Sequence, residues 1–245
     1  MGRRRPAPAP VVLDRREVIA LLGLAGGALL LGCGGVTQGP ACALAPALTA
    51  GPYWLDEGLD RSDLRWDTHR IAVPDPRPGV PLQLDIRLVA SSEEGCHPVH
   101  GAQVDVWHCD ALGLYSDVAA NGTTGQNFLR GYQQTDLSGL VSFTTIYPGW
   151  YPGRAVHIHA KVRLFGPYGE LTTEVSTQLF FDDAVTDAVH SLEPYRDRGQ
   201  RDTRNAADAL YGGHRELLLS LEGSPTDGYQ GTIDLAIQVG QVNRG

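Results

Sequence analysis

The chain has 245 residues, of which 42% are hydrophobic, and a formal net charge of −8 at pH 7. This length and hydrophobic fraction suffice for one sizeable core. The 30 glycines and 16 prolines favour many short strands and turns over long helices. The acidic balance argues against nucleic-acid binding, which requires a basic surface.

The N-terminal segment is typical of an export signal rather than of folded structure. Two arginine clusters precede the apolar run Val18–Leu31, which is too short for a comfortable membrane span. The run DRREVI resembles a twin-arginine signal, and Leu30–Cys33 resembles a lipobox in which Cys33 becomes the lipidated first residue. An uncleaved amphipathic leader is the alternative. We predict an exported, extracytoplasmic protein that associates with the cell membrane through a lipid on Cys33. The predicted segments are the signal, 1–32, a tether, 33–47, and one folded domain, 48–245.

Three cysteines follow the lipobox, namely Cys42, Cys96 and Cys109. An oxidising exterior permits one disulfide with one cysteine left over, and the sequence leaves the choice of pair open. No Cys-x-x-Cys motif occurs, which argues against a structural zinc ribbon.

The predicted elements indicate an all-β domain. Leu48–Arg65 has turn residues without a clear period and is predicted to be an extended arm that wraps the domain. The run PLQLDIRLVA then alternates apolar and polar residues, as a half-buried strand does. A turn over Glu93–Pro98 leads to a second strand in GAQVDVWHCD. Leu129–Thr135 and Leu140–Ile146 flank DLSG and are predicted to pair as a hairpin.

The second half of the chain continues the same pattern. The elements predicted there are a strand over Ala155–Lys161, a strand over Leu171–Phe181, a short helix over Asp182–Leu192, an irregular excursion over Pro194–Gly213, and a closing hairpin of Glu216–Leu221 with Thr232–Val239. About eight strands with little helix and no repeat predict an antiparallel β-sandwich core, or a closed barrel, with short helical and irregular excursions.

The segment Tyr147–Lys161, YPGWYPGRAVHIHAK, joins a proline- and glycine-rich loop to a strand that carries two histidines. Because successive strand residues point to opposite faces, His157 and His159 share one face about 7 Å apart. Two imidazoles at that spacing can converge on one metal ion. A surface alternation or a hydrogen-bonded histidine pair has the same sequence, so the motif by itself leaves these alternatives open.

Two tyrosines, Tyr151 in this loop and Tyr115 in WHCDALGLYSD, add hard oxygen donors to the two imidazoles. Phenolates suit Fe(III) far better than Zn(II) or Cu(I). A tyrosine must lose a proton near pKa 10 to bind, which only a strongly Lewis-acidic ion makes easy near neutral pH. Either tyrosine, taken alone, also fits an ordinary buried aromatic.

Three runs in this order carry a family resemblance: GAQVDVWHCDALGLYS, QTDLSGLVSFTTIYPGWY, and GRAVHIH followed by STQLFF. They resemble the intradiol ring-cleavage dioxygenases, the family of ferric catechol and protocatechuate dioxygenases, from roughly Gly51 to Phe181. The resemblance implies a β-sandwich fold, one Fe(III) per chain, and a small aromatic diol and O₂ as reactants. Only five residues separate Tyr151 from His157, fewer than in better-known members, so the pocket wall is smaller and the substrate stays open. The resemblance leaves no room between Cys33 and Gly51 for the helical dimerisation domain of the catechol-cleaving branch, so the oligomeric state stays open as well.

The resemblance also implies roles for six residues. Tyr115 and His157 match the equatorial iron ligands, and Tyr151 and His159 match the axial pair. Arg154 matches the active-site arginine, and Gln178 matches the glutamine that lines the substrate pocket. We therefore predict intradiol cleavage of a catechol-type aromatic by O₂ to a cis,cis-muconate-type diacid, with Tyr151, Arg154 and Gln178 in catalytic roles. The alternative is a non-catalytic exported β-sandwich lipoprotein that binds a phenolic ligand or a metal.

Overall fold

The computed structural model describes residues 42–69 and 75–240, so the predicted signal and lipobox lie outside the described residues. The described residues form two facing sheets. The first contains β1 (Pro81–Ser92), β2 (Gly95–Pro98), β5 (Leu140–Ile146), β8 (Ser220–Ser224) and β9 (Gly228–Ile237). The second contains β3 (Gln103–Trp107), β4 (Arg130–Gln134), β6 (His157–Phe165) and β7 (Leu171–Phe180).

Both sheets are largely antiparallel, as predicted, and their inner faces form the core. In the first sheet β2 and β5 pair with successive parts of β1, and β9 pairs with β1 in parallel. The second sheet has the order β4-β3-β6-β7. The alternation predicted for β1 is confirmed, because Leu82, Leu84, Ile86 and Leu88 are all buried. They belong to the same core cluster as Ile158, Ala160 and Val162 of β6.

The predicted hairpin around DLSG is wrong. The chain does reverse there, since the Asp136 carboxylate accepts hydrogen bonds from the backbone of Ser138 and Leu140. However, β4 pairs with β3 and β5 pairs with β1, so the turn carries the chain from one sheet to the other. A turn signature predicts a reversal of direction but does not identify the strand with which each arm pairs.

Two other element predictions meet the structure with smaller differences. The predicted turn over Glu93–Pro98 is wrong in part, because Gly95–Pro98 forms β2, which pairs with the end of β1. The closing hairpin is confirmed as β8 with β9, although its first strand begins at Ser220 and not at Glu216.

The predicted helix is confirmed as α1 (Asp183–His190), which is capped by the Asp182 carboxylate at the backbone N–H of Ala184, 2.7 Å away. The segment that follows is irregular, as predicted, apart from short 3₁₀ turns at Tyr195–Arg198 and Asn205–Ala207. No helix in the described part of the chain is long and apolar enough to cross a membrane.

The predicted extended arm lies across the outer face of the second sheet. The Leu48 N–H donates a hydrogen bond to the Ser176 carbonyl oxygen of β7 at 2.7 Å. The Arg61 N–H donates to the Tyr132 carbonyl oxygen of β4 at 3.1 Å. A disulfide between Cys42 and Cys96 fastens the segment that precedes the arm to β2. Residues 42–47, which were predicted as tether, are therefore already attached to the fold. The arm covers the face on which the β6 histidines lie.

Candidate metal centre and active site

The two histidines of β6 point away from the core, toward the arm. Their Nε2 atoms lie 3.1 Å apart, and both rings are buried. The His157 Nδ1 donates a hydrogen bond to the carbonyl oxygen of Ala155 at 2.6 Å. In the neutral ring this leaves the lone pair on Nε2, which faces His159.

Burial keeps both imidazoles neutral. It lowers the pKa of His157 to about 3, with a further contribution from the nearby Arg154 charge, and lowers the pKa of His159 well below its ordinary value. A neutral imidazole is the form that binds a metal ion. Both rings are neutral and their Nε2 atoms lie close together, so the two histidines can act as ligands of one metal ion.

The two tyrosines reach the same point from two loops. The Tyr151 hydroxyl lies 3.1 Å from His157 Nε2. The Tyr115 ring lies 5.6 Å from the Tyr151 ring and 6.1 Å from the His159 ring, measured between centroids. The structure thus brings together all four predicted ligands, Tyr115, Tyr151, His157 and His159.

A close backbone contact holds these loops together. The Gly149 N–H donates to the Asp110 carbonyl oxygen at 3.0 Å. A Cβ atom at Gly149 would lie only 2.4 Å from the carbonyl oxygen of Ala111 and 2.5 Å from that of Asp110. Only glycine permits this approach, which sets the distance between the loop of Tyr115 and the loop of Tyr151.

The four side chains of Tyr115, Tyr151, His157 and His159 form a donor set that fits a hard trivalent cation. The Tyr115 hydroxyl is buried and has no hydrogen-bond partner. Burial raises the pKa of Tyr151 to about 12 and that of Tyr115 well above its ordinary value. Without a cation both phenols keep their protons, so their ionisation requires a strongly Lewis-acidic ion at this point. Ferric iron meets this requirement better than zinc. The described residues contain no group of three or more His, Cys, Asp or Glu side chains that could hold a metal.

Arg154 and Gln178 lie beside the histidines as predicted. Gln178 is directly opposite His159 across the β6–β7 pair, and its side chain is fully buried. The Arg154 guanidinium donates to the Gln178 side-chain oxygen, and the Gln178 amide donates to the Thr49 carbonyl of the arm at 3.2 Å. Arginine and glutamine therefore form one hydrogen-bonded unit at the edge of the donor set.

The sequence interpretation missed the residue that fixes this arginine, Asp208. Its Oδ2 atom accepts from Arg154 Nε at 2.9 Å and from the Ala155 N–H at 2.7 Å. Its Oδ1 atom accepts from the backbone of Leu210 and Tyr211. Burial by itself would raise the pKa of Asp208, but these bonds and the Arg154 charge together outweigh it and lower the pKa. Asp208 lies in the irregular segment and has no motif, so no local signal identifies it.

The arm contributes aromatic side chains that the prediction did not assign. The Tyr53 ring stacks on Tyr115 with centroids 4.3 Å apart and meets Tyr151 edge-on at 6.0 Å. Trp107 of β3 stacks on His159 at 4.8 Å with nearly parallel planes. Trp54 of the arm packs on Trp107 at 4.6 Å. Aromatic rings therefore pack on both sides of the donor set, Tyr53 on Tyr115 and Trp107 on His159.

The chain matches known proteins over this region. The family model described as "Dioxygenase" matches residues 50–194, a range that contains all six predicted site residues. The protocatechuate 3,4-dioxygenase beta chain of Burkholderia cepacia is 31% identical over 135 residues, which cover 50% of this chain and 56% of that relative. The match therefore spans little more than half the length of the relative.

Two solved structures resemble the whole described fold. An intradiol ring-cleavage dioxygenase from Tetranychus urticae is 28% identical, with a TM-score of 0.66 over 83% of this chain and 98% of the other. The dioxygenase domain of a dioxygenase and carbohydrate-binding protein fusion from Streptomyces sp. SirexAA-E is 29% identical, with a TM-score of 0.57 over 80% of this chain and 99% of the other.

Proposed function

The chain belongs to the intradiol ring-cleavage dioxygenase family, and we propose that it uses ferric iron and O₂ to open a catechol-type aromatic ring. Cleavage falls between the two hydroxyl-bearing carbons and gives a cis,cis-muconate-type diacid that contains both oxygen atoms of O₂. The observation that carries this proposal is the convergence of two neutral imidazoles and two phenols on one buried point.

One ferric ion per chain would be held by Tyr115, Tyr151, His157 and His159, and it would supply a Lewis acid that draws electron density from the bound diol. The two imidazoles contribute lone pairs without charge, and the two phenolates contribute two negative charges. This balance suits a trivalent ion in a largely buried setting.

Of the two tyrosines, Tyr151 would be the better suited to give way to substrate. It lies in a loop and is partly exposed, whereas Tyr115 is 1% exposed and stacked beneath Tyr53. Because burial raises the pKa of Tyr151 to about 12, its free phenolate oxygen is a strong base. That oxygen takes the proton of a substrate hydroxyl as the diol binds.

Arg154 and Gln178 orient the ring and stabilise its charge. The guanidinium is held by Asp208 on one side and by Gln178 on the other, so its direction is fixed before substrate arrives. A fixed cation in a partly dry site lowers the cost of negative charge that develops on a substrate oxygen. The buried Gln178 restricts the orientations open to the ring.

The test is incubation of the iron-loaded protein with catechol, protocatechuate and hydroxyquinol under ¹⁸O₂, followed by mass analysis of the products. The proposal predicts a ring-opened diacid with two ¹⁸O atoms from at least one of these diols. Absence of any ring-opened acid, with iron fully loaded, favours a protein that only binds a phenolic ligand. Cleavage outside the diol contradicts the mechanism.

We further propose that the protein acts outside the cytoplasm, anchored by a lipid on Cys33. The Cys42–Cys96 disulfide supports this, because disulfides persist mainly in oxidising compartments. Cys33→Ala should release the protein from membranes or leave the precursor unprocessed. Unchanged processing and membrane association in that variant would contradict the anchor.

A further inference from the structure

Buried polar atoms without hydrogen-bond partners cluster around the candidate metal centre. Among the described residues six such side-chain atoms occur, and five of them belong to the donor set or its surroundings. They are the two carboxylate oxygens of Glu57, the indole nitrogen of Trp107, the hydroxyl of Tyr115 and the Nδ1 of His159. A metal ion accounts for Tyr115 but not for Glu57 or Trp107, which are not predicted ligands.

Glu57 and Trp107 line the same small cavity between the arm and the second sheet. The cavity has a volume of about 20 Å³ and is also bordered by Arg130 and Asp105. One water molecule needs roughly 10–15 Å³ and two to four polar partners. An indole N–H that donates and a carboxylate that accepts meet this need, and the cavity has room for a single water.

Arg130 connects this carboxylate to Tyr115. Its guanidinium is buried, and its Nε lies 3.8 Å from a Glu57 oxygen. It donates to the hydroxyl and the carbonyl oxygen of Ser116, both at 2.8 Å, and to the Tyr53 carbonyl oxygen at 2.6 Å. Ser116 follows Tyr115 in the chain, and Tyr53 stacks on the Tyr115 ring. Arg130 therefore fixes Tyr115 in two ways, through the backbone of the neighbouring Ser116 and through Tyr53, whose ring stacks on Tyr115.

Trp107 connects the same carboxylate to His159. The indole and the imidazole are stacked with an angle of 8° between their planes. Trp107 is also the direct cross-strand partner of Arg130 and of His159. A water that bridges the indole N–H to Glu57 would hold the indole plane, and the indole plane holds the imidazole.

We propose that Glu57 is a positioning residue for both halves of the donor set, through one structural water shared with Trp107 and through its charge beside Arg130. The inference rests on the proposed ferric centre but concerns a residue of the arm that is not one of the four proposed ligands. The Glu57 carboxylate offsets the Arg130 charge and so limits how strongly that charge stabilises the Tyr115 phenolate.

The charge role has a spectroscopic consequence. Replacing Glu57 by glutamine keeps the shape and a hydrogen-bonding side chain but removes the negative charge. The uncompensated Arg130 then stabilises electron density on Tyr115, the donor in tyrosinate-to-iron charge transfer. The transition then requires more energy, and the visible band moves to shorter wavelength.

The experiment compares the iron-loaded full chain with Glu57→Gln and with the matched control Asp60→Asn. Asp60 lies in the same arm and is exposed, and its carboxylate accepts a hydrogen bond from the Gln133 side chain. We expect wild type and Asp60→Asn to have superimposable visible bands, and Glu57→Gln to bind iron with its band at shorter wavelength. A folded Glu57→Gln chain that no longer retains iron would also support the positioning role.

A Glu57→Gln band identical to that of wild type, or shifted to longer wavelength, overturns the inference and leaves the proposed function intact. A wild-type chain without any ferric band overturns both. Where the glutamine variant does not fold, Glu57→Asp keeps the charge at a shorter reach. A folded aspartate variant with the wild-type band supports the inference, and failure of this variant to fold as well assigns Glu57 to stability alone.

Discussion

At the scale of single residues, the site depends on burial that fixes protonation states in opposite senses. Burial lowers the pKa of His157 and raises that of Tyr151, so without a cation both side chains are neutral at physiological pH. The neutral imidazole can then bind a metal directly, whereas the phenol binds only an ion that is acidic enough to displace its proton. This difference explains how the site can discriminate in favour of strong Lewis acids.

Arg154 and His157 should separate substrate chemistry from metal binding. Arg154→Ala leaves all four ligands in place, so we expect the visible iron band to remain while kcat falls by about 10²-fold or more. His157→Ala removes a ligand and should lose the band and the turnover together. Iron analysis with steady-state kinetics distinguishes the two, and loss of iron in Arg154→Ala would contradict the assignment.

Asp208 should act only through Arg154 and its neighbouring backbone. Asp208→Asn can satisfy one of the two pairs of donors that the carboxylate now serves, so kcat/KM should fall by about 10–100-fold with the iron band retained. Asp197→Asn, an exposed position in the same irregular segment, is the control and should behave as wild type. Equal kinetics in both variants would remove the positioning role.

His108 should make stability depend on pH. It is fully buried between Thr145 and the Cys109 carbonyl, and burial lowers its pKa to about 4 from an ordinary value of 6.5. Above pH 6.5 the ring is neutral in both folded and unfolded chains, so His108 does not change the stability of the fold there. Between pH 6.5 and 4 only the unfolded chain takes up the proton, and stability falls by about 1.4 kcal/mol per pH unit.

Urea unfolding of wild type and His108→Gln between pH 8 and 5 measures this effect. The variant should be less stable at pH 8, but its unfolding free energy should fall less steeply as the pH decreases. Parallel curves for the two proteins would show that His108 does not carry the acid sensitivity.

At the scale of elements, the alternation of apolar and polar residues predicted which side chains share a face of one strand, but not which strands pair with one another. The pattern in Ala155–Lys161 correctly indicated that His157 and His159 share the face opposite Ile158, because the side-chain period of a strand is two. The DLSG reversal could not reveal that β4 and β5 pair in different sheets, since pairing depends on which strands bury the same core. For the same reason no local pattern connects Asp208 to Arg154.

The arm is the element that completes the site, and the disulfide that precedes it should stabilise the fold without contacting the donor set. Cys42 and Cys96 are separated by 54 positions, so opening their bond should cost about 4 kcal/mol of stability by the loop-entropy relation. The arm is independently bonded at Leu48 to β7, so the iron band should not change.

Thermal unfolding of the iron-free wild type with and without reductant measures this cost, because a reductant would also act on ferric iron. The double variant Cys42→Ser with Cys96→Ser should match the reduced wild type and should not respond to reductant. A reductant effect of equal size in the double variant would assign the loss to another group.

At the scale of the whole molecule, the sandwich provides a rigid outer face and the arm closes it. The second sheet presents Trp107, His159 and Gln178 side by side on neighbouring strands. The all-β class and the four donors could be predicted from the sequence, because strand periodicity and a specific motif set carry them. Glu57, Tyr53 and Asp208 could not, because they come from irregular segments whose placement depends on the complete fold.

The central claim is that two tyrosines and two histidines of this chain hold one ferric ion. The most direct measurement is the visible spectrum and metal content of the purified wild-type protein beside Tyr115→Phe and the control Tyr168→Phe, an exposed tyrosine on the β6–β7 turn. We predict a red-brown wild type with about one iron per chain, an altered or lost band in Tyr115→Phe, and an unchanged band in Tyr168→Phe. A colourless wild-type protein that holds stoichiometric zinc would contradict the claim.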